Sequence, residues 1–274
     1  MTINCRGQLI DCSEPRVMGI LNLTPDSFFD GGKYKDEHSI LTQVETMIQQ
    51  GADFIDVGGY SSRPGADDVA SLEELNRVIP AIEAISKRFP ECLISIDTFR
   101  SEVADRAIAS GACMINDISG GDRDPKMPKV AAKHQVPYIF MHMRGTPQTM
   151  NQLTQYEDVV LEVTQELAKK LTQLRALGLN DLIADPGFGF AKTLEQNYTL
   201  LNHLEHLKLL EVPILVGLSR KSMIYRLLET QPDHALNGTS VANTIALIKG
   251  ANILRVHDVL QATEAIRLIK ALKN

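Results

Sequence analysis

The sequence is short of the features that mark membrane, secreted and nucleic-acid-binding proteins. No stretch approaches the ~18–20 apolar residues of a membrane helix, and the N-terminus has no basic start followed by an apolar run. Only four cysteines are present, without the C-x-x-C spacing or the density of a disulfide scaffold. The net charge of −6 offers no overall attraction for nucleic acid or for an anionic membrane. We therefore expect a cytoplasmic globular protein with reduced cysteines, in which locally clustered Lys and Arg would meet any anionic ligand.

Common catalytic signatures are also absent. The chain has no P-loop, no H-E-x-x-H and no G-x-S-x-G motif. No G-x-G-x-x-G follows the first predicted strand, which disfavours an open, doubly wound dinucleotide-binding sheet. The composition, 44% hydrophobic and 23% charged, is that of an ordinary globular protein with a sizeable core.

What the sequence has is a regular alternation of short apolar runs with helix-length amphipathic segments. The apolar runs predict eight strands, at 17–23, 53–59, 92–98, 114–120, 137–143, 181–187, 213–219 and 252–258. The segments between them predict helices at 37–50, 73–89, 101–110, 127–135, 157–177, 193–210, 221–229 with 238–249, and 260–272. Eight such units within 274 residues predict an α/β fold, a single (β/α)8 TIM barrel over 1–274. The segment GQLID, which begins at Gly7, predicts a short hairpin within 1–16 at the bottom of the barrel.

Long loops follow the predicted strands, whereas most helix-to-strand connections are very short. The long loops are 24–36, 60–72 and 143–156. Loops of this length in a compact domain are usually functional. In a TIM barrel the loops after the strands build the active site, so we expect the site at the carboxyl ends of the strands.

Polar residues end the predicted strands, where a barrel interior is normally apolar. They are Asn22, Asp56, Asp97, Asn116, Asp117, His142, Asp185, Ser219, Arg255 and His257. Asp97, Asn116 and Asp185 would supply acceptors to a ligand with several N–H donors, such as an aminopyrimidinone ring. The alternative is that single members only cap loops or helices, above all Asp185, because D-P-G is also a turn signature.

Basic residues fall at the same strand ends and predict a phosphate or diphosphate site. They are Arg63, Lys221, Arg255 and His257, with Arg100 and Arg220 as lesser candidates. The segment SRKS, from Ser219, stands where a strand passes into a helix, and backbone N–H groups favour an anion there. Asn22 could add an oxygen ligand to a Mg²⁺ carried by the diphosphate, since Mg²⁺ keeps most of its waters.

Eight strings in the sequence carry a family resemblance. They are MGILNLTPDSFFDGG, DVGGYSSRPGA, SIDT, INDISGG, FMHMRGTPQTM, DPGFGFAKT, VGLSRKSMI and GTSVANTIALIKGANILRVHDV. In this order, from about Val17 to Asp258, they resemble the bacterial dihydropteroate synthase family, and each of the eight predicted strand ends takes part.

The resemblance implies a TIM-barrel transferase of folate biosynthesis. Its reaction would condense 6-hydroxymethyl-7,8-dihydropterin diphosphate with 4-aminobenzoate to 7,8-dihydropteroate and pyrophosphate, with Mg²⁺ as cofactor. It would lose pyrophosphate first, and the arylamine would then attack the resulting cation. The resemblance further implies a homodimer packed through the later helices and a target of sulfonamides, which imitate 4-aminobenzoate.

The resemblance also assigns roles to residues at matching positions. It implies catalytic roles for Asp97, Lys221, Arg63 and Arg255. It implies pterin contacts for Asp97, Asn116, Asp185 and Lys221, with Met141, Phe190 and Gly217 as apolar walls. The diphosphate would meet Asn22, Ser62, Arg63, Arg255 and His257, and the metal would meet Asn22. The aminobenzoate site would include Phe28, Ser61, Ser62, Arg63, Pro64, Ser219, Lys221 and Ser222.

Two residues depart from the family pattern, which commonly has Glu or Gln followed by Ser-Thr. This chain has Tyr60 and then Ser61-Ser62. The change of Thr to Ser at position 62 keeps the hydroxyl and drops a methyl, so diphosphate contact should survive while discrimination among aminobenzoate analogues could shift. Sulfonamide sensitivity therefore stays open.

Three alternatives remain from the sequence. A barrel methyltransferase that passes a methyl group from a methylated pterin to a corrinoid protein would share the acceptors but have little use for the cations. An aldolase-type barrel would use Lys221 as a Schiff-base nucleophile. A catalytically silent pterin-binding protein would keep the site and lack turnover.

Overall fold

The computed structural model describes residues 1–23, 37–60 and 69–273. Its strands are β1 (Thr2–Cys5), β2 (Gln8–Asp11), β3 (Arg16–Asn22), β4 (Phe54–Gly58), β5 (Leu93–Asp97), β6 (Met114–Asp117), β7 (Tyr138–Met141), β8 (Leu182–Asp185), β9 (Leu215–Val216) and β10 (Ile253–Val256). The described residues thus contain all eight strands predicted from the apolar runs, as β3 to β10.

The eight strands form one parallel sheet in the order β8-β7-β6-β5-β4-β3-β10-β9. Each neighbouring pair is parallel, and a parallel bridge between Ala184 and Ile214 joins β8 to the residues just before β9. This bridge brings the two ends of the sheet together. The predicted (β/α)8 barrel is therefore confirmed.

Helices follow the barrel strands and cover the outside of the sheet. They are α1 (Glu37–Gln49), α2 (Ser71–Arg88), α3 (Ser101–Ala109), α4 (Met127–His134), α5 (Val159–Ala176), α6 (Leu194–Asn202), α7 (Ser222–Leu227), α8 (Leu236–Lys249) and α9 (Val259–Lys273). Buried aliphatic residues of these helices, such as Val44, Ile82 and Leu167, share one hydrophobic cluster with strand residues such as Ile94. The apolar stripes of the helices thereby cover the outer face of the barrel.

One predicted helix, 193–210, is wrong in its second half. The α-helix α6 ends at Asn202, and Leu204–Leu210 is a 3₁₀-helix. Leu204, Leu207 and Leu210 are all buried. Their spacing of three suits the three residues per turn of a 3₁₀-helix, which lines them up on one face.

The N-terminal residues close the bottom of the barrel. β1 and β2 form an antiparallel pair at the place where the sequence predicts a hairpin within 1–16. Ile3, Cys5 and Ile10 pack in one buried cluster with residues from the first half of every barrel strand, including Met18 and Phe54. The amino ends of the strands are therefore covered, which leaves their carboxyl ends for the site.

In the part of the chain that the structure describes, no helix combines the length and apolar character needed to cross a bilayer.

Candidate active site

The polar strand ends lie side by side because the parallel register aligns them. Asn22 of β3 is in register with Gly58 of β4, Gly58 with Asp97 of β5, and Asp97 with Asn116 of β6. Further around the barrel, Met141 of β7 is in register with Asp185 of β8. Residues at one level of neighbouring strands form a ring at the barrel mouth. The structure thus brings together residues that lie far apart in the sequence.

A charged network occupies this ring. Arg255 of β10 donates from Nε to Asp56 Oδ2 at 2.6 Å and from Nη2 to Asp97 Oδ2 at 2.5 Å. Asn116 donates from Nδ2 to the same Asp56 oxygen at 3.0 Å. Asp56 Oδ1 is buried and has no hydrogen-bond partner among the described residues. Asp56 therefore holds Arg255 and Asn116 in place, a role that sequence reasoning did not assign.

Burial changes the ionisation of Asp97. It raises the pKa of this carboxyl to about 7, and the guanidinium of Arg255 opposes the shift while the charge of Asp56 adds to it. A buried carboxylate beside one cation and a second carboxylate is therefore poised to exchange its proton near neutral pH. Groups with such perturbed pKa values are typical of functional sites.

Asp185 and Lys221 carry opposite charges that influence each other at the mouth. Burial raises the pKa of Asp185, which Lys221 opposes. Burial lowers the pKa of Lys221 to about 8, which Asp185 opposes. Asp185 Oδ1 also accepts from the Gly187 amide at 2.7 Å, so the turn role considered for D-P-G is present as well. The carboxylate of Asp185 thus accepts a hydrogen bond from the loop and also stabilises the charged form of Lys221.

Lys221 contacts the loop that follows β8. Its ammonium donates to the carbonyl oxygen of Phe188 and lies 4.7 Å from the ring centroid of Phe190. A Cβ atom on Gly217 would stand 3.9 Å from both Lys221 Nζ and Arg255 Cβ. Gly217 therefore leaves a narrow space between the Lys221 ammonium and the base of the Arg255 side chain, and a larger residue would fill it.

Apolar side chains form a small cluster at the mouth. It contains Tyr60, Phe99, Ile118, Met141, Met150, Phe190 and Ala191. Met141 and Phe190 are two of the three predicted apolar walls, and each retains only slight exposure, 6% and 9%. Both side chains therefore lie in the apolar cluster beside the polar ring of the mouth.

Tyr60, the residue that departs from the family pattern, is buried in this cluster. Its ring meets Phe99 edge to face, with centroids 5.0 Å apart, and the guanidinium of Arg100 lies 5.3 Å from its centroid. Arg100 also forms an ion pair with Glu74 and donates to the Val69 carbonyl. Arg100 was a lesser candidate for anion binding, and these contacts make it instead an anchor for Tyr60 and Val69.

Ser219 and His257 touch each other at the other side of the mouth. Ser219 Oγ lies 3.0 Å from His257 Nδ1 and accepts from the His257 amide at 3.2 Å. Ser222 is the first residue of α7, which is only six residues long. The helix dipole expected at SRKS is therefore short, and any anion there would depend mainly on the side chains.

Two polar strand-end residues, Asp117 and His142, and the lesser anion candidate Arg220 bind protein groups away from the ring at the mouth. Asp117 accepts from Tyr138 Oη at 2.7 Å and from the amides of Ser119 and Gly121, so it holds the loop after β6. His142 contacts Glu166 of α5. Arg220 pairs with Asp258 at 2.7 Å. In each case a polar group next to a strand end is satisfied by protein groups, as single strand-end residues often are.

Five assigned residues, Phe28, Ser61, Ser62, Arg63 and Pro64, lie outside the described residues. Sequence reasoning also missed Lys192, a buried lysine between the apolar GFGF segment and the Thr193 cap of α6. The signal was a lysine next to a buried turn, since lysine is almost never fully buried without partners.

The described residues contain no group of three or more His, Cys, Asp or Glu that could hold a metal ion. A cation at the mouth would need ligands from the substrate as well. Asn22 Oδ1 and Asp97 Oδ2 both lie 3.7 Å from the position of a Cβ on Gly58, so Gly58 leaves space beside these two oxygens. Such a sparse oxygen set fits Mg²⁺, which takes few protein ligands and keeps several waters.

Comparisons with known proteins agree with this site. A family model described as pterin binding enzyme matches residues 18–257. The dihydropteroate synthase of Synechocystis is 48% identical over 260 residues, which cover 93% of this chain and 89% of the relative. The dihydropteroate synthase of Yersinia pestis, solved in a sulfonamide drug complex, superposes with a TM-score of 0.94 at 41% identity, covering 100% of this chain and 99% of that one.

A third similar protein was solved with 7,8-dihydropteroate bound. The dihydropteroate synthase of Xanthomonas albilineans, solved in complex with 7,8-dihydropteroate, superposes with a TM-score of 0.89 at 37% identity and covers 100% of this chain and 99% of its own. The family model spans most of the chain. The sequence identities of 37–48% with these relatives are well above the level at which proteins share only a fold. The chain belongs to the pterin-binding enzymes and, within them, to the dihydropteroate synthase family, transferases of folate biosynthesis.

Proposed function

We propose that this chain condenses 6-hydroxymethyl-7,8-dihydropterin diphosphate with 4-aminobenzoate to give 7,8-dihydropteroate and pyrophosphate. The observation that carries this proposal is the ring of acceptors and cations at one end of the barrel, with Arg255 between Asp56 and Asp97. The complex of the Xanthomonas albilineans relative with 7,8-dihydropteroate supports the same product. A corrinoid-dependent methyltransferase would have no diphosphate for these cations.

The pterin ring would lie among Asp97, Asn116, Asp185 and Lys221. The aminopyrimidinone edge of a pterin carries N–H donors, and carboxylate and amide oxygens are the matching acceptors. Met141 and Phe190 would pack against the ring faces, and Gly217 would leave the room for its edge. Polar groups on one edge and apolar groups on the faces are the usual arrangement for a flat heterocycle.

The diphosphate would lie against Arg255 and His257, with Asn22 on the same side and with Ser62 and Arg63 from outside the described residues. Arg255 has donors left after its bonds to Asp56 and Asp97, because a guanidinium carries five N–H groups. Mg²⁺ would be held by Asn22 together with oxygens of the substrate, and when bound it supplies positive charge that stabilises the leaving diphosphate.

The C–O bond between the pterin methylene and the diphosphate breaks first, and its electron pair leaves with the diphosphate. Arg255, His257 and Arg63 stabilise the charge that develops on this leaving group. Asp97 faces the cation that remains on the pterin. The lone pair of the arylamine then forms the C–N bond, and the nitrogen loses a proton. Because an arylamine has an available lone pair, the step does not require a strong general base.

The aminobenzoate would be held by Ser219, Lys221 and Ser222, together with Phe28, Ser61, Ser62, Arg63 and Pro64 from outside the described residues. Lys221 thus belongs to both substrate sites, in keeping with its position between Asp185 and the N-terminus of α7. The ammonium of Lys221 supplies positive charge close to both substrates.

A homodimer through the later helices is part of the same proposal. Val241 and Ile248 of α8 and Leu268 of α9 are 54%, 61% and 70% exposed, although the two helices pack against each other. Val241 and Ile248 are seven residues apart and therefore lie on one face of α8. Exposed apolar patches are typical of protein interfaces. A cytoplasmic location is also proposed, and its support is that all four cysteines are free thiols.

The test is product formation by the purified chain from the dihydropterin diphosphate and labelled 4-aminobenzoate, with and without Mg²⁺. We expect labelled dihydropteroate in step with pyrophosphate, and its loss in Arg63→Ala. If the pterin diphosphate binds but no product forms, the aminobenzoate side of the proposal is wrong. If neither substrate binds, the assignment of the mouth is wrong.

A further inference from the structure

Lys192 is a buried lysine that the reaction described above does not use. It lies in the segment between β8 and α6, and only 9% of the residue is exposed. Its ammonium nitrogen lies 3.0 Å from the Gly187 carbonyl oxygen, 3.1 Å from the Phe190 carbonyl oxygen and 3.1 Å from His142 Nδ1. A lysine ammonium has three N–H donors, so these three acceptors use all of them.

The third acceptor requires a particular form of His142. Burial lowers the pKa of this ring to about 4, so it is neutral near pH 7. Because Nδ1 accepts from Lys192, the ring proton is assigned to Nε2, which donates to Glu166 Oε2 at 3.0 Å. Glu166 in turn forms an ion pair with Arg144. The ammonium is therefore the inner end of a chain of hydrogen bonds that reaches the surface of α5.

The two carbonyl acceptors of Lys192 bracket the turn that carries Phe190. The turn is also closed by a backbone hydrogen bond, in which the Phe190 amide donates to Gly187 O at 3.1 Å. The neighbouring carbonyls have other donors: Lys221 for Phe188, Tyr156 for Ala191 and Asn197 for Lys192 itself. Lys192 thus holds both ends of the turn 187–190 and contributes no atom to the mouth contacts assigned above.

The position of this turn decides where two proposed pterin contacts lie. Asp185 Oδ1 accepts from the amide of Gly187, the first residue of the turn, and Phe190 is its last. A shift of the turn would move the aromatic wall relative to the carboxylate. Without an ammonium, Phe190 O and His142 Nδ1 would lose the donor described for them, and Gly187 O would keep only the Phe190 amide. Buried unpaired acceptors are costly enough to favour a rearrangement.

We propose that Lys192 is a positioning residue for pterin binding, which fixes the turn 187–190 and so aligns Phe190 with Asp185 without touching the substrate. The inference rests on the proposed function, because it takes Phe190 and Asp185 as pterin contacts. On this proposal, aminobenzoate binding does not depend directly on Lys192. Removal of the Lys192 ammonium should therefore affect the binding of the two substrates differently.

The experiment compares Lys192→Met with the wild type and with Lys133→Met, an exposed lysine of α4, as control. Affinity for 6-hydroxymethylpterin, which lacks the diphosphate, is measured by titration, and KM and kcat are measured for both substrates. We expect Lys192→Met to weaken pterin affinity and raise the KM for the pterin diphosphate by about tenfold or more. The KM for aminobenzoate and kcat at saturating pterin should change by less than about threefold, and Lys133→Met should match the wild type.

A pair of substitutions at His142 tests the same chain of hydrogen bonds without removing the ammonium. Asn at position 142 can place its Oδ1 near the position of Nδ1 and keep the acceptor, whereas Ala removes it. We expect His142→Ala to weaken pterin affinity and His142→Asn to recover most of the loss. Circular dichroism and thermal unfolding of every variant show whether it is folded.

The results separate failure of this inference from failure of the proposed function. Wild-type protein that binds no pterin overturns the proposed function. Wild-type binding together with unchanged pterin affinity in folded Lys192→Met overturns the inference alone. If Lys192→Met does not fold, the His142 pair decides, and equal pterin affinities in His142→Ala and His142→Asn overturn the inference.

Discussion

Arg255 donates to Asp97 at 2.5 Å, although the two residues lie 158 positions apart in the sequence. One is a proposed ligand of the diphosphate and the other a proposed ligand of the pterin ring. Asp56, fully buried beside them, accepts from the same guanidinium at 2.6 Å. The two proposed subsites therefore share one charged network. A change in the charge of Arg255 or of Asp97 affects both subsites.

Removal of Arg255 should distinguish the two subsites. Arg255→Ala takes away a cation proposed to contact the diphosphate, and hydrogen bonds to charged groups contribute about 1.5–3 kcal/mol. We expect its affinity loss for the pterin diphosphate to exceed the loss for 6-hydroxymethylpterin by about tenfold or more. Isothermal titration of both ligands measures the difference, with Arg106→Ala, an exposed arginine of α3, as control. Equal losses for the two ligands would remove Arg255 from the diphosphate site.

Asp185→Asn should have the opposite pattern. The asparagine can still accept from the Gly187 amide, so the turn keeps its hydrogen bond. The charge that would meet the pterin N–H groups is lost. We expect both the free pterin and its diphosphate to bind about tenfold or more weakly, by a similar factor. The same titrations check this, and unchanged affinity for free pterin would contradict the assignment.

The pH dependence of kcat/KM for the pterin diphosphate should be a narrow bell. Burial raises the pKa of Asp97 to about 7, and the ionised form faces the pterin cation, so activity rises with pH through this value. Burial lowers the pKa of Lys221 to about 8 and that of Lys192 to about 7, and both act as ammonium groups, so activity falls as they deprotonate. Because kcat/KM reports the free enzyme, initial rates at low substrate from about pH 5.5 to 9.5 measure these groups.

Asp97→Asn is the control for the acidic side of this bell. It should lower activity at all pH values and remove the rise with pH, because the amide does not titrate. A rise that persists unchanged in Asp97→Asn would mean that another group controls the acidic side.

Asn22→Ala should reduce the effect of Mg²⁺ without altering recognition of free pterin. Asn22 is the proposed protein ligand of the ion, and Mg²⁺ takes most of its other ligands from water and phosphate oxygens. We expect the gain in pyrophosphate affinity on adding Mg²⁺ to fall in Asn22→Ala, measured by titration at several Mg²⁺ concentrations. Thr199 is an exposed residue of α6, so Thr199→Ala is a suitable control. An unaltered Mg²⁺ effect would exclude Asn22 as a ligand.

The apolar face of α8 should hold a homodimer together. Ile248→Glu places a charge on a side chain that is 61% exposed in the single chain, so the fold should tolerate it. In a dimer through this face the charge would be desolvated, which costs free energy. We expect the wild type to sediment as a dimer and Ile248→Glu to shift towards monomer at the same concentration. A wild-type protein that is monomeric at all concentrations would contradict the proposal.

The sequence by itself determined the architecture and the end of the barrel that carries the site. Eight apolar runs separated by amphipathic segments leave few ways to bury both faces of the strands, and a parallel barrel covered by helices is one that does so. Polar residues at the carboxyl end of the runs, such as Asn116 and Asp185, mark the mouth for the same reason. These signals are local, and local periodicity is what a single sequence contains.

Only the tertiary structure decided which polar groups meet. Asn116 and Asp117 are neighbours on β6, yet Asn116 joins the network at the mouth and Asp117 holds the following loop. Successive side chains of a strand point to opposite faces, and the register of the closed sheet decides which face is the interior. Lys192 reaches His142 Nδ1, its third acceptor, only because β7 and β8 lie side by side. Such contacts depend on chain closure over long separations, which no local pattern records.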